Sequence, residues 1–184
     1  MPILGEEIHI YPDTLLEGLG MEVGARRWWL IYTKSRQEKA LARHLVGGSV
    51  PFYLPLVKKT SVQRGRTVSA HHPLFTGYLF LFGSDEERVV GLTSNRISRV
   101  LEVSDGRRLY RDLCQIRQLI ASDAPLTVEK RLTSGQRVRV RKGSLEGIEG
   151  TVLHRRGQCR LLVAVDFMQQ GASVEIEDYL LEPV

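Results

Sequence analysis

Leu74-Phe75-Thr76-Gly77-Tyr78-Leu79-Phe80-Leu81-Phe82 is the most hydrophobic stretch of the chain, and its reading decides the fold. Nine residues of this kind, rich in aromatics and entered through a glycine, suit a central β-strand reached by a kink. A second run, Trp28-Trp29-Leu30-Ile31-Tyr32-Thr33, has the same aromatic and β-branched character and reads as its buried partner. Strand side chains alternate between faces, so each run offers one set to a core and another to the opposite side. Trp28, Leu79 and Leu81 belong in the core on this reading.

Working outward, Ser35 is placed to cap a helix over 36–46, with Ala40, Leu41, His44 and Leu45 on one face and Gly47-Gly48 ending it. Residues 50–56 carry Pro51 and Pro55, which suits an edge strand. Residues 58–68 read as a basic hairpin arm around Gly65, carrying Lys58, Lys59, Arg64 and Arg66. Ser84, Asp85 and Glu86 announce a helix over 85–93, since acids favour its positive end. A strand over 97–103 and a helix over 108–121, with Leu109, Leu113, Ile116 and Ile120 on one stripe, complete a β-α-β-β-β-α-β-α order. That order predicts an α+β domain, a mixed β-sheet with flanking helices on one side. Residues 123–132 have a proline, scattered charges and no period, and read as a linker.

Beyond it the pattern changes. Val138 and Val140 alternate with Arg137, Arg139 and Arg141, and glycines at 143, 147 and 150 bracket Leu145 and Ile148. Further short runs at 151–153, 160–167, 173–176 and 179–181 make five short strands with glycine turns, the signature of a small SH3-like β-barrel. The expected domains are an acidic extension at 1–25, a first domain at 26–122, the linker at 123–132 and the barrel at 133–184.

Charge supports this partition. Residues 1–25 hold five acids and no Lys or Arg, residues 26–133 hold 19 bases against 9 acids, and residues 134–184 hold seven of each. A basic first domain favours polyanions. The extension itself is compatible with an extended packed arm or a mobile one. The two cysteines, Cys114 and Cys159, have no CxxC spacing and no histidines beside them, so neither a disulfide scaffold nor a zinc site is expected. No stretch approaches the ~18 apolar residues of a membrane span, and residues 1–24 lack the pattern of a signal peptide. A cytoplasmic location follows as the expectation, with no membrane partner. No phosphate-cradling Gly-rich loop, nucleophile-elbow serine or His-Glu-x-x-His is present. His71 and His72 are adjacent, so on a strand they point to opposite faces. A non-enzyme without cofactor or metal is expected.

The pattern Gly135-Gln136-Arg137-Val138-Arg139-Val140, followed by Gly143-Ser144-Leu145-Glu146-Gly147-Ile148-Glu149-Gly150-Thr151-Val152, resembles a KOW motif. The run 28–32, the helix after it and Pro73-Leu74-Phe75-Thr76-Gly77-Tyr78-Leu79-Phe80 resemble the N-terminal domain of the NusG family. Both occur in family order over 26–184. Lys34, His44, Pro55 and the hairpin Gln63-Arg64-Gly65-Arg66-Thr67 look more like specialised RfaH-like paralogues, while Thr76 departs from the proline usual at that place.

The resemblance implies a transcription elongation and antitermination factor, monomeric, and nucleoid-associated through RNA polymerase. It implies that Leu30, Tyr32, Phe75, Tyr78 and Phe80 form an apolar surface for the clamp helices of the largest polymerase subunit. Thr93 and Ser94 would reach the gate loop of the β subunit. Lys34, Arg36, Arg43, His44, Arg64, Arg66 and Arg96, with Arg99, would contact the non-template DNA strand, giving salt-sensitive binding. Ile148 and Phe167 of the KOW domain would meet a further partner such as ribosomal protein S10 or Rho, with Ile148 equally suited to the core. The competing reading is a ribosome-associated KOW-type RNA-binding protein. Such a protein would carry its charge on the barrel, whereas here the barrel is neutral and the first domain basic.

Overall fold

Strand β2 (Arg27–Thr33) sends alternate side chains to two faces of a sheet, and that division organises the first half of the chain. The computed structural model describes residues 7–21 and 24–184. Trp29 and Ile31 join Leu79 and Leu81 of β6 (Tyr78–Gly83), Phe52 of β3 (Phe52–Tyr53) and Leu41, Ala42 and Leu45 of α1 (Glu38–Gly47) in one buried cluster. Val90 of α2 (Asp85–Thr93) packs at its margin, so the helices cover this face. Trp28, Leu30 and Tyr32 take the other face.

The sheet has the strand order β1-β3-β6-β2-β7, with β1 (Ile10–Tyr11) and β7 (Ile97–Glu102) at its edges. Every pairing in it is antiparallel, where the sequence suggested a mixed sheet. Apolar periodicity marks which residues face a core and carries no record of strand direction. The expected edge strand is likewise displaced inward, because β1 pairs with β3 from outside. The amide of Leu54 donates to His9 O at 2.7 Å, extending that pairing. The N-terminal segment continues into an irregular turn over Leu15–Leu19, whose Leu15 and Leu16 are buried. Trp28 Nε1 donates to Gly20 O at 2.7 Å. Residues 7–21 of the extension thus form a packed arm. The extension's acids Glu6 and Glu22 lie outside the described residues.

Helices α1 and α2 of the first unit start differently. Arg36 has a left-handed φ of 58°, so α1 begins only at Glu38, with Gln37 at its N-cap and no capping bond from Ser35. The second start follows its sequence closely. Ser84 Oγ accepts from the amide of Glu87, and the Glu87 carboxylate accepts from the amide of Ser84, a reciprocal capping box, with Asp85 and Glu86 in the same first turn as expected.

A separate two-stranded ribbon, β4 (Leu56–Gln63) with β5 (Arg66–Pro73), turns at Arg64 and Gly65. It is exposed over most of its length and contains no Asp or Glu. His71 stands opposite Lys58 and His72 opposite Val57, on the two faces of the ribbon.

Residues up to Arg107 form one compact unit and Arg108–Val184 another. The division falls in the first turn of α3 (Gly106–Ala121), ahead of the helix the sequence assigned to the first domain. Leu109, Leu113 and Ile116 are buried as expected, but Leu119 completes the stripe in place of Ile120. The segment read as a linker contains β8 (Leu126–Glu129), which pairs with β12 (Gln170–Glu175). Only four residues long, it was too short for its period to register. The second unit is a six-stranded antiparallel sheet in the order β13-β9-β10-β11-β12-β8, adding β9 (Arg137–Val140), β10 (Glu149–Arg155), β11 (Gln158–Val165) and β13 (Leu181–Pro183). No pairing between its two ends closes it among the described residues. A side chain at Gly150 would run into the carbonyl of Leu162, so glycine there permits the β10–β11 approach.

Candidate functional site

On the face of the first sheet away from α1, three rows of side chains run across β6, β2 and β7. Phe82 and Trp28 form the first, with ring centroids 5.2 Å apart and the Trp28 indole covered through its bond to Gly20. Phe80, Leu30 and Leu101 form the second. The third is Tyr78, Tyr32 and Arg99. Its two rings lie 4.7 Å apart at a tilt of 54°, and both tyrosines are only half-buried. Burial raises the Tyr32 phenol above its ordinary pKa, and its hydrogen bond with Tyr78 adds to this, while Arg99 acts the other way. The row is therefore an aromatic, uncharged step with a guanidinium at its side.

Of the five residues expected on this surface, only Tyr32 and Tyr78 reach it. Leu30, Phe75 and Phe80 are 1 %, 2 % and 0 % exposed, so they lie in the interior and back the tyrosines. The resemblance put Leu30 and Phe80 on this surface, and alternation alone could not give the cover over that face. Trp28, expected in the core with Leu79 and Leu81, is buried on the opposite face from them.

The kink before β6 is firmly held. Gly77 adopts a φ of 84°, its amide donates to Glu38 Oε1 at 2.7 Å and its carbonyl accepts from the amide of Thr33 at 2.9 Å. Glu38 is 4 % exposed, a buried carboxylate given a partner by the turn. Glu38 carried no signal in the sequence beyond its place in the first turn of a helix. With proline absent at Thr76, these bonds set the conformation of the loop that delivers Tyr78.

Polar candidates gather just ahead of α1, in its last turn, and at the end of α2. The amide of Lys34 donates to Arg96 O, and Lys34 Nζ donates to Asn95 Oδ1, each at 2.8 Å. Arg96 donates to the side chain of Gln37. Ser94 Oγ donates to Gly91 O at 2.7 Å and accepts from the amide of Arg96. His44 Nε2 lies 3.0 Å from Val90 O, and since a carbonyl only accepts, Nε2 carries the proton. Thr93 Oγ1 lies 3.4 Å from the same nitrogen. Lys34, Arg96, Thr93, Ser94 and His44 thus share one bonded neighbourhood, with Arg36 exposed beside Lys34.

Arg43 differs, because its guanidinium holds both oxygens of Glu7 at 3.0 and 2.9 Å. Arg64 and Arg66 sit at the tip of the ribbon, carried by a different element. In the second unit Ile148 is fully buried, which places it in the core, and Phe167 is half-buried after β11.

A family model described as transcription termination factor nusG matches residues 26–131. The chain belongs to the NusG family. Its members are non-enzymatic transcription elongation factors. The match begins at Arg26, so the packed arm lies ahead of what the NusG family model describes. Among solved structures, the crystal structure of the MjSpt4:Spt5 complex in conformation B matches at 12 % identity and a TM-score of 0.26, covering 85 % of this chain and 96 % of that one. A likeness that distant carries no argument about partner or mechanism. No curated protein matches the chain.

Proposed function

We propose that this NusG-family chain is an elongation and antitermination factor of the RfaH-like kind, and that it binds RNA polymerase through the Tyr32–Tyr78 step. The observation that carries the reading is that these two rings are the part of a largely buried aromatic face left open to solvent. Paired tyrosines suit a docking surface, being large, stiff and able to keep a polar edge wet. The clamp helices of the largest polymerase subunit are the intended contact, with Leu30, Phe75 and Phe80 as the rigid backing. Thr93 and Ser94 meet the gate loop of the β subunit.

Lys34, Arg36, His44 and Arg96 run beside the non-template strand, and Arg64 and Arg66 extend the reach through the ribbon. Arg43 contributes once Glu7 releases it. Bridging the clamp and the opposite lobe holds the clamp closed and suppresses pausing. The second unit acts as a KOW domain, its antiparallel sheet curled into an SH3-like barrel, with Phe167 meeting ribosomal protein S10 or Rho. The factor works as a monomer, cytoplasmic and on the nucleoid wherever polymerase is.

Co-sedimentation of the full chain with core RNA polymerase and, separately, with ribosomes tests this. Pelleting with polymerase is expected. Pelleting with ribosomes alone would return the protein to the ribosomal reading.

A further inference from the structure

The second unit carries a cationic hollow that the reading above does not use. It lies beside the β10–β11 turn and is lined by Thr127, Arg155, Arg156, Gln158 and Arg160. Two of its arginines are fixed from beneath. Arg155 donates from Nη1 and Nη2 to the two oxygens of Glu129, at 3.0 and 2.9 Å. Glu129 is 6 % exposed and also accepts from Ser173 Oγ at 2.7 Å. Arg160 donates from Nε to Ser173 Oγ, and from Nη2 to Thr127 Oγ1 and Ser173 O, each at 3.0 Å.

A guanidinium has five N–H donors in a rigid fork, and these bonds use two from Arg155 and three from Arg160. Both planes are therefore held in place with donors to spare. Arg155 keeps Nε–H beside an Nη2–H for a bidentate phosphate contact, and Arg160 keeps its Nη1 hydrogens for a contact through one nitrogen. Glu129 is committed to Arg155. Glu175, opposite Arg160 in the ladder, is the acid that register places nearest the hollow, and it is not among the lining residues.

The third arginine is the more telling. Arg156 and Gly157 form a two-residue hairpin turn with φ of 50° and 77°, between the paired Arg155 and Gln158. Such turns favour Asn-Gly, because both residues have positive φ. Folding gives no reason for arginine at the first place. The ribbon of the first unit repeats the arrangement, with Arg64 at 50° and Gly65 at 75° between Gln63 and Arg66. Each unit thus has a hairpin whose tip carries an exposed arginine on a strained position followed by glycine.

We propose that the hollow formed by Arg155, Arg156 and Arg160 is a second nucleic-acid site, which grips the phosphodiester backbone without reading bases. No aromatic side chain lines it, so base stacking plays no part. It stands on residues other than those of the polymerase reading and does not depend on that reading.

The test uses the full chain carrying Arg64→Asn and Arg66→Thr, which removes the ribbon-tip charges and keeps a turn-compatible residue. Anisotropy of a labelled single-stranded RNA, the matching single-stranded DNA and the duplex is followed at several KCl concentrations, with no polymerase present. Added Arg156→Asp, tolerated at positive φ, is expected to weaken binding by roughly fivefold and to reduce the salt slope by about 0.7 per single-strand phosphate lost. Arg156→Lys should retain most of the affinity. The Nε–Hε resonances of Arg155, Arg156 and Arg160 should move on titration, and the arm that responds names the strand. Equal affinity for Arg156→Asp and its parent in all three arms would overturn the site. So would displacement of the nucleic acid by millimolar inorganic phosphate, which would mark a free-anion pocket. Should Arg156→Asp lose its near-ultraviolet circular dichroism, Arg156→Asn replaces it in the same comparison.

Discussion

Tyr32 and Tyr78 stand directly opposite each other on adjacent antiparallel strands, their ring centroids 4.7 Å apart. Behind them, Leu30 and Phe80 repeat the pairing two residues along the ladder and are sealed in the interior. The surface therefore consists of a half-exposed pair mounted on a buried one. Substituting the two pairs has different consequences.

Phe75→Ala and Phe80→Ala should each lower unfolding stability by about 3–5 kcal/mol, the cost of emptying a packed aromatic site. Tyr78→Ala should cost about 1 kcal/mol, since its ring is only partly withdrawn from water. Urea denaturation of the three variants checks this. Equal losses would mean that Tyr78 is as much a core residue as Phe80.

The N-terminal arm should be part of the folding unit. Leu15→Ala is expected to cost about 2–5 kcal/mol, because Leu15 is completely buried. Trp28→Phe removes the donor that meets Gly20 and leaves that carbonyl to find another partner, a loss of about 1 kcal/mol. Thermal melts of the two variants measure both. An arm that merely rests on the sheet would leave Leu15→Ala unchanged.

How much of this was legible in the sequence depends on what each feature requires. The aromatic and β-branched runs at 28–33 and 74–82 located the two central strands, and Ser84 with Asp85 and Glu86 located the start of α2. Those signals are local. The burial of Phe75 depends on what covers the far face, and cover is a tertiary property. Leu15 and Leu16 lie in an acidic, aperiodic stretch, so nothing short of the packed structure joins them to the sheet. Ser35 is a fair N-cap by residue type, but Arg36 turns left-handed after it and delays the helix to Glu38. Thr93, Ser94, Lys34 and Arg96 were picked from separate segments, and the hydrogen bond between the Lys34 amide and Arg96 O joins them.

Asp112 gives a pH dependence with a definite sign. Burial pushes its carboxyl up to about 6, against the opposing pull of the Asp166 amide that it accepts at 3.0 Å and of Arg108 and Arg111, while the Asp166 charge adds to the rise. A carboxyl raised above its unfolded value stabilises the fold below that unfolded value, and the stabilisation is lost as pH rises through about 6. Asp112→Asn keeps an acceptor for the amide and should raise stability near neutral pH by on the order of 2 kcal/mol. The gain should vanish near pH ~4, below the folded pKa. Urea midpoints across that range test it, and a midpoint difference independent of pH would contradict it.

The ribbon should govern the salt dependence of DNA binding. Arg64→Asn with Arg66→Thr is expected to reduce the slope of log K against log salt by up to about 0.9 per lost phosphate contact on duplex DNA. The strand pairing Thr60 with Ser69, whose hydroxyls lie 3.2 Å apart, should survive. A slope unchanged from wild type would place the contact elsewhere.

The affinity of the full chain for core RNA polymerase, measured by interferometry for wild type and for Tyr32→Ala with Tyr78→Ala, tests the central claim most directly. Loss of more than about tenfold, or about 1.4 kcal/mol, in a double variant that remains folded is the predicted result. Wild-type affinity in that variant would contradict the account, because the paired rings would then take no part in the grip.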